Sequence, residues 1–171
     1  KSGQALEMAR AFQTRQPKMN AGFVIEGDVH AAASQWAPAV AAYRQGLKRQ
    51  PSTDVAVRLH AALSRSGKSA DAAAASRAWL KEHPQDAAYH FGLGQSALAA
   101  GEFERAEGHF VAVIEQRPKD AAALNNAAWS RLQRGGQGAI AWAEKANAIE
   151  PNNPRILETL ALALVAQGRS S

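Results

Sequence analysis

The sequence predicts an all-α fold, a right-handed solenoid of about ten helices joined as helix-turn-helix repeats. Alanine, the strongest helix former, accounts for 40 of the 171 residues. Prolines recur at intervals of 33 or 34 residues, and an alanine lies twelve residues before each of them. The two sets are Pro17, Pro51, Pro84, Pro118 and Pro151, and Ala5, Ala39, Ala72, Ala106 and Ala139. Two markers that keep one register along the chain indicate a repeat architecture.

The register divides the chain into helices in order. It begins in a second helix at about 3–15 and ends in a lone first helix at 154–168. Between them lie four full repeats, 20–52, 53–86, 87–120 and 121–153. Because both ends cut a repeat in half, residues 1–171 are expected to be a single solenoid fragment of a longer array. The turn at 135–138 reads GGQG and is one residue short, so it is expected to be a flexible joint.

The third repeat, 87–120, carries the clearest pattern. Its first half contains Leu93 and Gly94 and turns at Gly101, and its second half has Ala106 and Phe110 on one helical face. A small residue is needed where paired helices cross closely, and a large one fills the gap one turn away. The closing proline ends the second helix. This pattern resembles the tetratricopeptide repeat, and the resemblance extends over nearly the whole chain.

Two repeats depart from that pattern. The second has His60 where glycine or alanine is usual, and Ser76 where an aromatic residue is usual. The fourth has Ala143 at the aromatic position. Each change alters the volume at a helix crossing, so repeats two and four are expected to pack more loosely than repeats one and three.

The first helices begin with recognisable caps. Asp86 and Asp120 stand where an N-cap is wanted, and Asn153 followed by Pro154 combines a cap with a first-turn proline. These signals predict that first helices start near residues 87, 121 and 154.

The net charge of +5 and the pI near 9.9 raise the question of nucleic acid. The stretches TRQP, KRQP, KEHP and EQRP, however, place many basic residues just before a proline, at predicted helix ends. Cations there complement the helix dipole. No basic run interleaved with aromatic residues occurs, so we expect no nucleic-acid partner.

The sequence offers little for catalysis. The five histidines lie in separate helical contexts, without an H-E-x-x-H motif or an i, i+4 pair. Cysteine is absent, which excludes disulfides and thiolate metal sites. No nucleophile elbow and no phosphate-binding glycine loop occurs. We therefore expect no enzyme activity, no cofactor and no metal, and no catalytic residue is assigned.

Membrane attachment has no signal within these residues. No apolar run approaches the roughly 20 residues needed to span a bilayer, and no signal peptide opens the chain. The first residues already read as the middle of a helix. Any membrane association is therefore expected through an anchor outside this fragment.

Two-helix solenoids present a concave surface lined by the first helix of each repeat, and this groove is the candidate site. Repeat positions two, five, six, nine, twelve and thirteen are predicted to face it. The candidate peptide-binding residues are Arg58, Arg65, Phe91, Gln95, Asn125, Asn126, Trp129 and Arg155.

The stretch ALNNAAW, residues 123–129, is predicted to be the centre of that groove. Asparagine offers a donor and an acceptor to the backbone of an extended peptide, and a partly exposed tryptophan offers apolar area. The alternatives are solvated asparagines, or a Trp129 covered by a neighbouring repeat. Arg58 and Arg65 equally fit a solvated helix face. Trp36 and Trp79 fall at intra-repeat packing positions and are predicted to be core, whereas Trp142 has no assigned position.

Tetratricopeptide repeats that hold a terminal carboxylate use residues from three successive repeats. The first provides lysine at position five and asparagine at position nine, and the second provides asparagine at position six. The third provides lysine at position two and arginine at position six. Here Gln95, Asn126 and Arg155 occupy three of those positions. Phe91 and Thr159 stand where cations are required. The carboxylate clamp is therefore absent as such, and a weaker polar grip on a peptide stays open.

The segments ALNNAAW and AEKANAIEPNNPRILETLALALVAQG, with EGDVH, RLHAALSRSGK and WLKEHPQDA, are similar to the repeat lipoprotein of the bacterial exosortase (PEP-CTERM) system. This resemblance implies an outer-membrane-tethered protein facing the periplasm, with a scaffolding role and no catalytic residues. A lipobox cysteine is not among these residues, so anchorage is not visible here. A cytoplasmic location stays open.

Taken from sequence, the function is that of a protein-interaction scaffold that binds a peptide or protein partner in its groove. One alternative is a structural spacer in a polysaccharide secretion machine, with an empty groove. Another is contact with anionic glycan through Arg58, Arg65 and Arg155. Apolar faces on the terminal helices also predict self-association.

Overall fold

The computed structural model describes residues 2–168. Within that range the chain forms ten helices and no strand. The helices divide into two compact units, with the boundary between Asp86 and Ala87. That boundary coincides with the predicted junction between repeats two and three.

Unit 1 contains five helices in which each packs against the next along the chain. They are α1 (Ser2–Arg15), α2 (Ala21–Ala32), α3 (Trp36–Arg49), α4 (Thr53–Arg65) and α5 (Ser69–Glu82). The main core cluster of this unit consists of Ala39, Val40, Tyr43, Val55, Leu59, Ala62, Leu63 and Ala72. It joins helices α3, α4 and α5, so the second repeat packs directly on the first.

Unit 2 also contains five helices packed in chain order, and α8 additionally contacts α10. They are α6 (Ala87–Ala99), α7 (Phe103–Gln116), α8 (Ala121–Gln133), α9 (Ala139–Ile149) and α10 (Pro154–Gly168). Each full repeat predicted from the sequence encloses one pair of these ten helices, and the all-α helical-repeat fold is confirmed.

Glycine and a ring face each other inside repeats one and three. A Cβ atom added to Gly94 would lie 2.7 Å from Cε1 of Phe110, and one added to Gly27 would overlap the ring of Tyr43. Phe110 and Tyr43 are 0% and 3% exposed. The paired helices therefore approach closely because glycine leaves room for the ring.

Repeat two uses the opposite arrangement. His60 supplies the ring from the first helix, and the small Ser76 receives it on the second helix, with His60 Nδ1 2.8 Å from Ser76 Oγ. The Ser76 hydroxyl also donates to the carbonyl of Ala72 at 3.0 Å. Both members of the pair are buried, at 6% and 9% exposure. The large and small residues have therefore exchanged places between the two helices of this repeat.

Repeat four has small residues on both sides of the crossing. Ala128 and Ala143 are completely buried, and the indole of Trp142 packs against the cluster that contains them. Trp142 also packs against the clusters around Phe110 and Ile156. The tryptophan that had no predicted position thus supplies the volume missing at Ala143.

The turns between paired helices share one left-handed residue. Gly67, Gly101 and Gly135 occupy it in repeats two, three and four with φ between 66° and 77°. In repeat one Ser34 takes the same place with φ of 56°. Glycine is favoured there because a side chain is strained at positive φ, so the recurring glycine marks the turn.

Side chains cap the helices that begin after Asp120 and Asn153, as predicted. Asp120 Oδ1 accepts the backbone N–H of Ala123 at 2.9 Å, and Asn153 Oδ1 accepts that of Arg155 at 3.1 Å. Asp86 Oδ2 accepts from Thr53 Oγ1 at 2.7 Å and from Trp79 Nε1 at 2.9 Å. This carboxylate therefore joins α4 and α5 within unit 1.

Candidate peptide-binding surface

Helix α8 exposes one stripe through an otherwise buried segment. From residue 121 to residue 130 only Ala122, Asn126 and Trp129 are accessible, and the other seven residues are buried. The spacing of four and three places these residues on one helical face. Asn126 and Trp129 are half-buried, which leaves an amide and part of an indole open to solvent. We call Asn126 and Trp129 the α8 stripe.

Asn125 does not belong to this stripe. It is 9% exposed, and its Oδ1 is buried without a hydrogen-bond partner among the described residues. The expectation that it lines an open groove together with Asn126 is therefore corrected. Adjacent residues of a helix point about 100° apart, so only one of two consecutive asparagines lies on the exposed face.

Phe91 and Gln95 lie one turn apart on α6. Phe91 is half-buried and meets Phe110 edge to face, with ring centroids 5.5 Å apart. Gln95 is exposed. Phe91 therefore contributes to the core of repeat three as well as to its accessible surface, whereas Gln95 is available for a polar contact.

Arg155 is exposed in the first turn of α10. Thr159, one turn further, is buried and donates its hydroxyl to the carbonyl of Arg155 at 2.9 Å. Residue 159 is therefore closed to a ligand, in addition to lacking the cation that a carboxylate clamp requires. The guanidinium of Arg155 is the accessible cation at this position.

The remaining candidates lie in unit 1, where Arg58 is held by carboxylates. Its Nη1 donates to Asp28 Oδ1 at 2.7 Å and its Nε to Asp54 Oδ2 at 3.0 Å. Burial alone lowers the pKa of Arg58, but the hydrogen bond to Asp54 and the charges of both carboxylates outweigh it and raise the pKa. Arg58 is therefore paired with Asp28 and Asp54. It is only partly exposed to solvent, whereas one prediction places it on a solvated helix face.

Tyr43 completes that cluster from α3. Its hydroxyl donates to the same Asp28 oxygen at 2.7 Å. Burial, followed by the hydrogen bond and the negative charge of Asp28, raises the pKa of Tyr43 well above its usual range. The ring that fills the helix crossing of repeat one thus also carries a polar contact between α2, α3 and α4.

Arg65 lies at the end of α4 over the ring of Trp36, with its guanidinium carbon 5.5 Å from the ring centroid. Trp36 is half-buried and packs against the core of unit 1. Trp79 is likewise half-buried; it stacks on His83 at 4.1 Å and donates its indole N–H to Asp86. Trp36 packs against the core as predicted, whereas the contacts of the half-buried Trp79 are with His83 and Asp86.

Sequence reasoning missed a charged network on the other side of α8. Glu107 is 9% exposed and accepts from Arg131 Nη2 at 2.6 Å and from Arg134 Nη1 at 3.2 Å. Arg131 also lies 4.2 Å from the ring centroid of Trp142. The distance of 24 residues between Glu107 and Arg131 gives no local signal, and only the packing of α7 on α8 brings them together.

We also searched the described part of the chain for metal-binding groups and for membrane-spanning helices. No group of three or more histidine, cysteine, aspartate or glutamate side chains there is arranged to hold a metal ion. None of its helices combines the length and apolarity that a bilayer span requires.

The family is decided by the sequence model of the tetratricopeptide repeat. It matches twice, at residues 61–121 and 93–154. The two matches together span 61–154, which is more than half of the 171 residues. The chain belongs to the tetratricopeptide repeat family. The resemblance inferred from the helix-crossing pattern is thereby confirmed.

Solved tetratricopeptide repeat structures share the fold. YrrB, described as a TPR protein with an unusual peptide-binding site, aligns with a TM-score of 0.62 at 19% identity, over 92% of this chain and 82% of its own. MamA aligns with a TM-score of 0.66 at 20% identity, over 87% and 82% of the two chains. A tetratricopeptide repeat protein from Parabacteroides merdae aligns with a TM-score of 0.69 at 14% identity, over 88% and 60%. No curated protein sequence matches the chain.

Proposed function

We propose that this chain is a protein-interaction scaffold that binds an extended peptide segment of a partner at the α8 stripe. The observation that carries the proposal is the exposure pattern of α8, where an amide and an indole are the large accessible groups of the otherwise buried segment 121–130. The family supports it, because tetratricopeptide repeats typically serve as scaffolds without catalysis. The fold neighbour YrrB, described as having a peptide-binding site, supports it as well.

The chemistry of the α8 stripe suits a backbone ligand. The Asn126 amide offers a donor and an acceptor, which matches the alternating N–H and C=O groups of an extended peptide. The backbone carbonyl of Asn126 already accepts from Ser130 Oγ at 2.7 Å, so the side chain is the group left for the ligand. Trp129, three residues further, covers an apolar side chain of that peptide.

The test is a peptide-array screen with the purified chain, followed by titration of the best peptide class against Asn126→Ala and Trp129→Ala. Each substitution is expected to weaken binding at least about thirtyfold, because truncation of a central interface residue costs about 2 kcal/mol or more. Asn152→Ala is the matched control, since Asn152 is exposed in the turn before α10. It should leave the affinity unchanged.

Loss of binding has to be separated from loss of folding. Unfolding midpoints of all variants are measured in parallel, and Trp129→Phe keeps an aromatic ring at the same place. Peptides that bind both alanine variants as well as the wild type would place the site elsewhere. If no peptide binds and Trp129→Ala lowers the melting temperature, the tryptophan is a packing residue and the spacer function takes precedence.

Contact with anionic glycan has less support. Arg58 already donates to two carboxylates, and Arg65 lies over Trp36, so both guanidinium groups have partners inside unit 1. Of the three proposed glycan contacts, Arg155 is the one in unit 2, and it is exposed. Binding of an anionic polysaccharide that weakens steeply with salt would favour this alternative.

The cellular context is also a proposal. The sequence resemblance to the exosortase-associated repeat lipoprotein supports a periplasmic scaffold, tethered to the outer membrane and acting in exopolysaccharide export or protein sorting. Fractionation of the native host tests it: the protein is expected in the envelope fraction and accessible to protease only after the outer membrane is opened. Recovery in the cytoplasm would contradict this location.

A further inference from the structure

The structure brings two histidines together that are 19 residues apart in sequence. His90 lies on α6 and His109 on α7, the two helices of repeat three. Their Nδ1 atoms are 3.2 Å apart, and their ring centroids are 5.5 Å apart with the planes inclined by 45°. Both side chains are half-buried, so the pair is accessible from solvent. Sequence reasoning treated these histidines as unrelated because only the packing of the two helices pairs them.

This distance suits a shared metal ion. A tetrahedral Zn²⁺ binds imidazole nitrogens at about 2.0–2.1 Å, which places two such nitrogens about 3.3–3.4 Å apart. The separation of the Nδ1 atoms of His90 and His109 therefore needs to change by only about 0.1–0.2 Å, and each ring has to turn by about 35° so that both lone pairs point at one tetrahedral ion. In the neutral pair a single proton lies between the two nitrogens, since one donates and the other accepts. The two nitrogens already face each other across this short distance.

We propose that His90 and His109 form a two-histidine site for a divalent transition metal such as Zn²⁺, Ni²⁺ or Cu²⁺, coordinated through both Nδ1 atoms. Imidazole is the side chain that these ions share as a ligand. Coordination requires the proton between the rings to move to Nε2, which leaves both imidazoles neutral. Water fills the remaining coordination positions, because the described residues contain no third ligand in a metal-binding group.

Metal binding at this pair links α6 to α7 next to the Gly94–Phe110 crossing. An ion that binds the folded chain and not the unfolded one raises its stability. The site is therefore expected to stabilise repeat three and to lose its metal as the pH falls, because protonated imidazole does not coordinate. This role is independent of the α8 stripe and does not rest on peptide binding.

The first test is Cu²⁺ titration of the chain, freed of any affinity tag and treated with EDTA, followed by electron paramagnetic resonance. The wild type is expected to take up one equivalent whose spectrum shows hyperfine coupling to two imidazole nitrogens. This measurement needs no variant, so it stays decisive even if a substitution unfolds repeat three. Coupling to one nitrogen or none at one equivalent would overturn the proposal.

The second test is calorimetric titration with Zn²⁺ against His90→Gln and His109→Gln. Either substitution is expected to weaken binding by about a hundredfold, because a chelate is reduced to a single ligand. His30→Gln is the matched control: His30 lies in unit 1 and its Nδ1 contacts Gln35 Oε1 at 2.7 Å. The control should bind Zn²⁺ like the wild type. Equal affinity of all four proteins would overturn the site.

Discussion

Tyr43 shows how a residue that the repeat pattern assigns to packing also acquires electrostatic character. Its ring fills the space opposite Gly27, while its hydroxyl donates to Asp28, which also holds Arg58. Burial and the neighbouring carboxylate both disfavour the tyrosinate, so the pKa of Tyr43 is raised in the folded chain. The repeat pattern predicts the position of the ring. It does not predict the contact with Asp28, because this carboxylate lies on another helix.

The raised pKa has a consequence for stability at alkaline pH. The ordinary pKa of tyrosine is 10.0, so the unfolded chain loses this proton above that pH while the folded chain keeps it. The stabilisation is therefore complete below about pH 10 and decreases as the pH rises further. We expect the urea midpoint of the wild type to fall more between about pH 9 and pH 11 than that of Tyr43→Phe.

Tyr43→Phe should also lose about 1 kcal/mol near neutral pH, because Asp28 loses one hydrogen bond but keeps Arg58. The chain contains two tyrosines, so the absorbance of tyrosinate in the variant reports Tyr89 alone and calibrates the difference. Equal midpoint losses in both proteins at high pH would contradict the role assigned to Tyr43.

Paired positions decide packing at the scale of helices. The period of 33 or 34 residues, the closing prolines and the turn glycines were sufficient to predict the helix pairs, because each acts locally on the backbone. The exchange of ring and small residue between His60 and Ser76 was not predicted, since each residue looks like a defect when considered alone. Only their contact, across 16 residues, shows that the ring and the small residue face each other.

A double-mutant cycle measures this compensation. His60→Gly leaves a space above Ser76, and Ser76→Phe places a second ring against His60, so each single change is expected to destabilise unit 1 by about 1–3 kcal/mol. The double variant recreates the glycine–aromatic pair of repeats one and three. It should therefore be about 1–2 kcal/mol more stable than the sum of the single changes predicts.

Urea unfolding of the four proteins provides the cycle, and the helix-propensity cost of glycine cancels because it appears in both His60 variants. The corresponding control in repeat three is Gly94→Ala, whose Cβ would lie 2.7 Å from Phe110 and which no partner substitution relieves. Additive effects at residues 60 and 76 would show that the two positions do not compensate each other.

At the scale of the whole molecule, sequence reasoning gave the architecture more completely than the candidate site. Asn126 and Trp129 are accessible, as the predicted groove requires. The predicted groove also includes Asn125, but this residue is buried. The partners of Arg58 and the His90–His109 contact depend on which helices pack together. Long-range contacts of this kind have no periodic signal in a single sequence.

Exposed apolar side chains lead to a prediction about association. On α10 the side chains of Leu164 and Val165 are 50% and 51% exposed, next to Leu157 and Leu162 at 45% and 43%. On α1 Met8 is 70% exposed. Exposed apolar side chains clustered on one helix favour burial against another molecule. We expect the 171-residue chain to associate reversibly, with a sedimentation coefficient that rises with concentration.

Charges on α10 should suppress that association if this helix is the contact. Leu164→Lys/Val165→Lys is expected to keep the chain monomeric in sedimentation velocity across the range where the wild type associates, because a lysine pair cannot be buried without a partner. Ala41→Lys/Gln45→Lys adds the same two charges to exposed positions of α3 and is expected to associate like the wild type. If both pairs of lysines suppress association, the effect is one of net charge. If the α10 variant still associates, the contact lies on another surface. Met8→Lys on α1 is then the next substitution to measure.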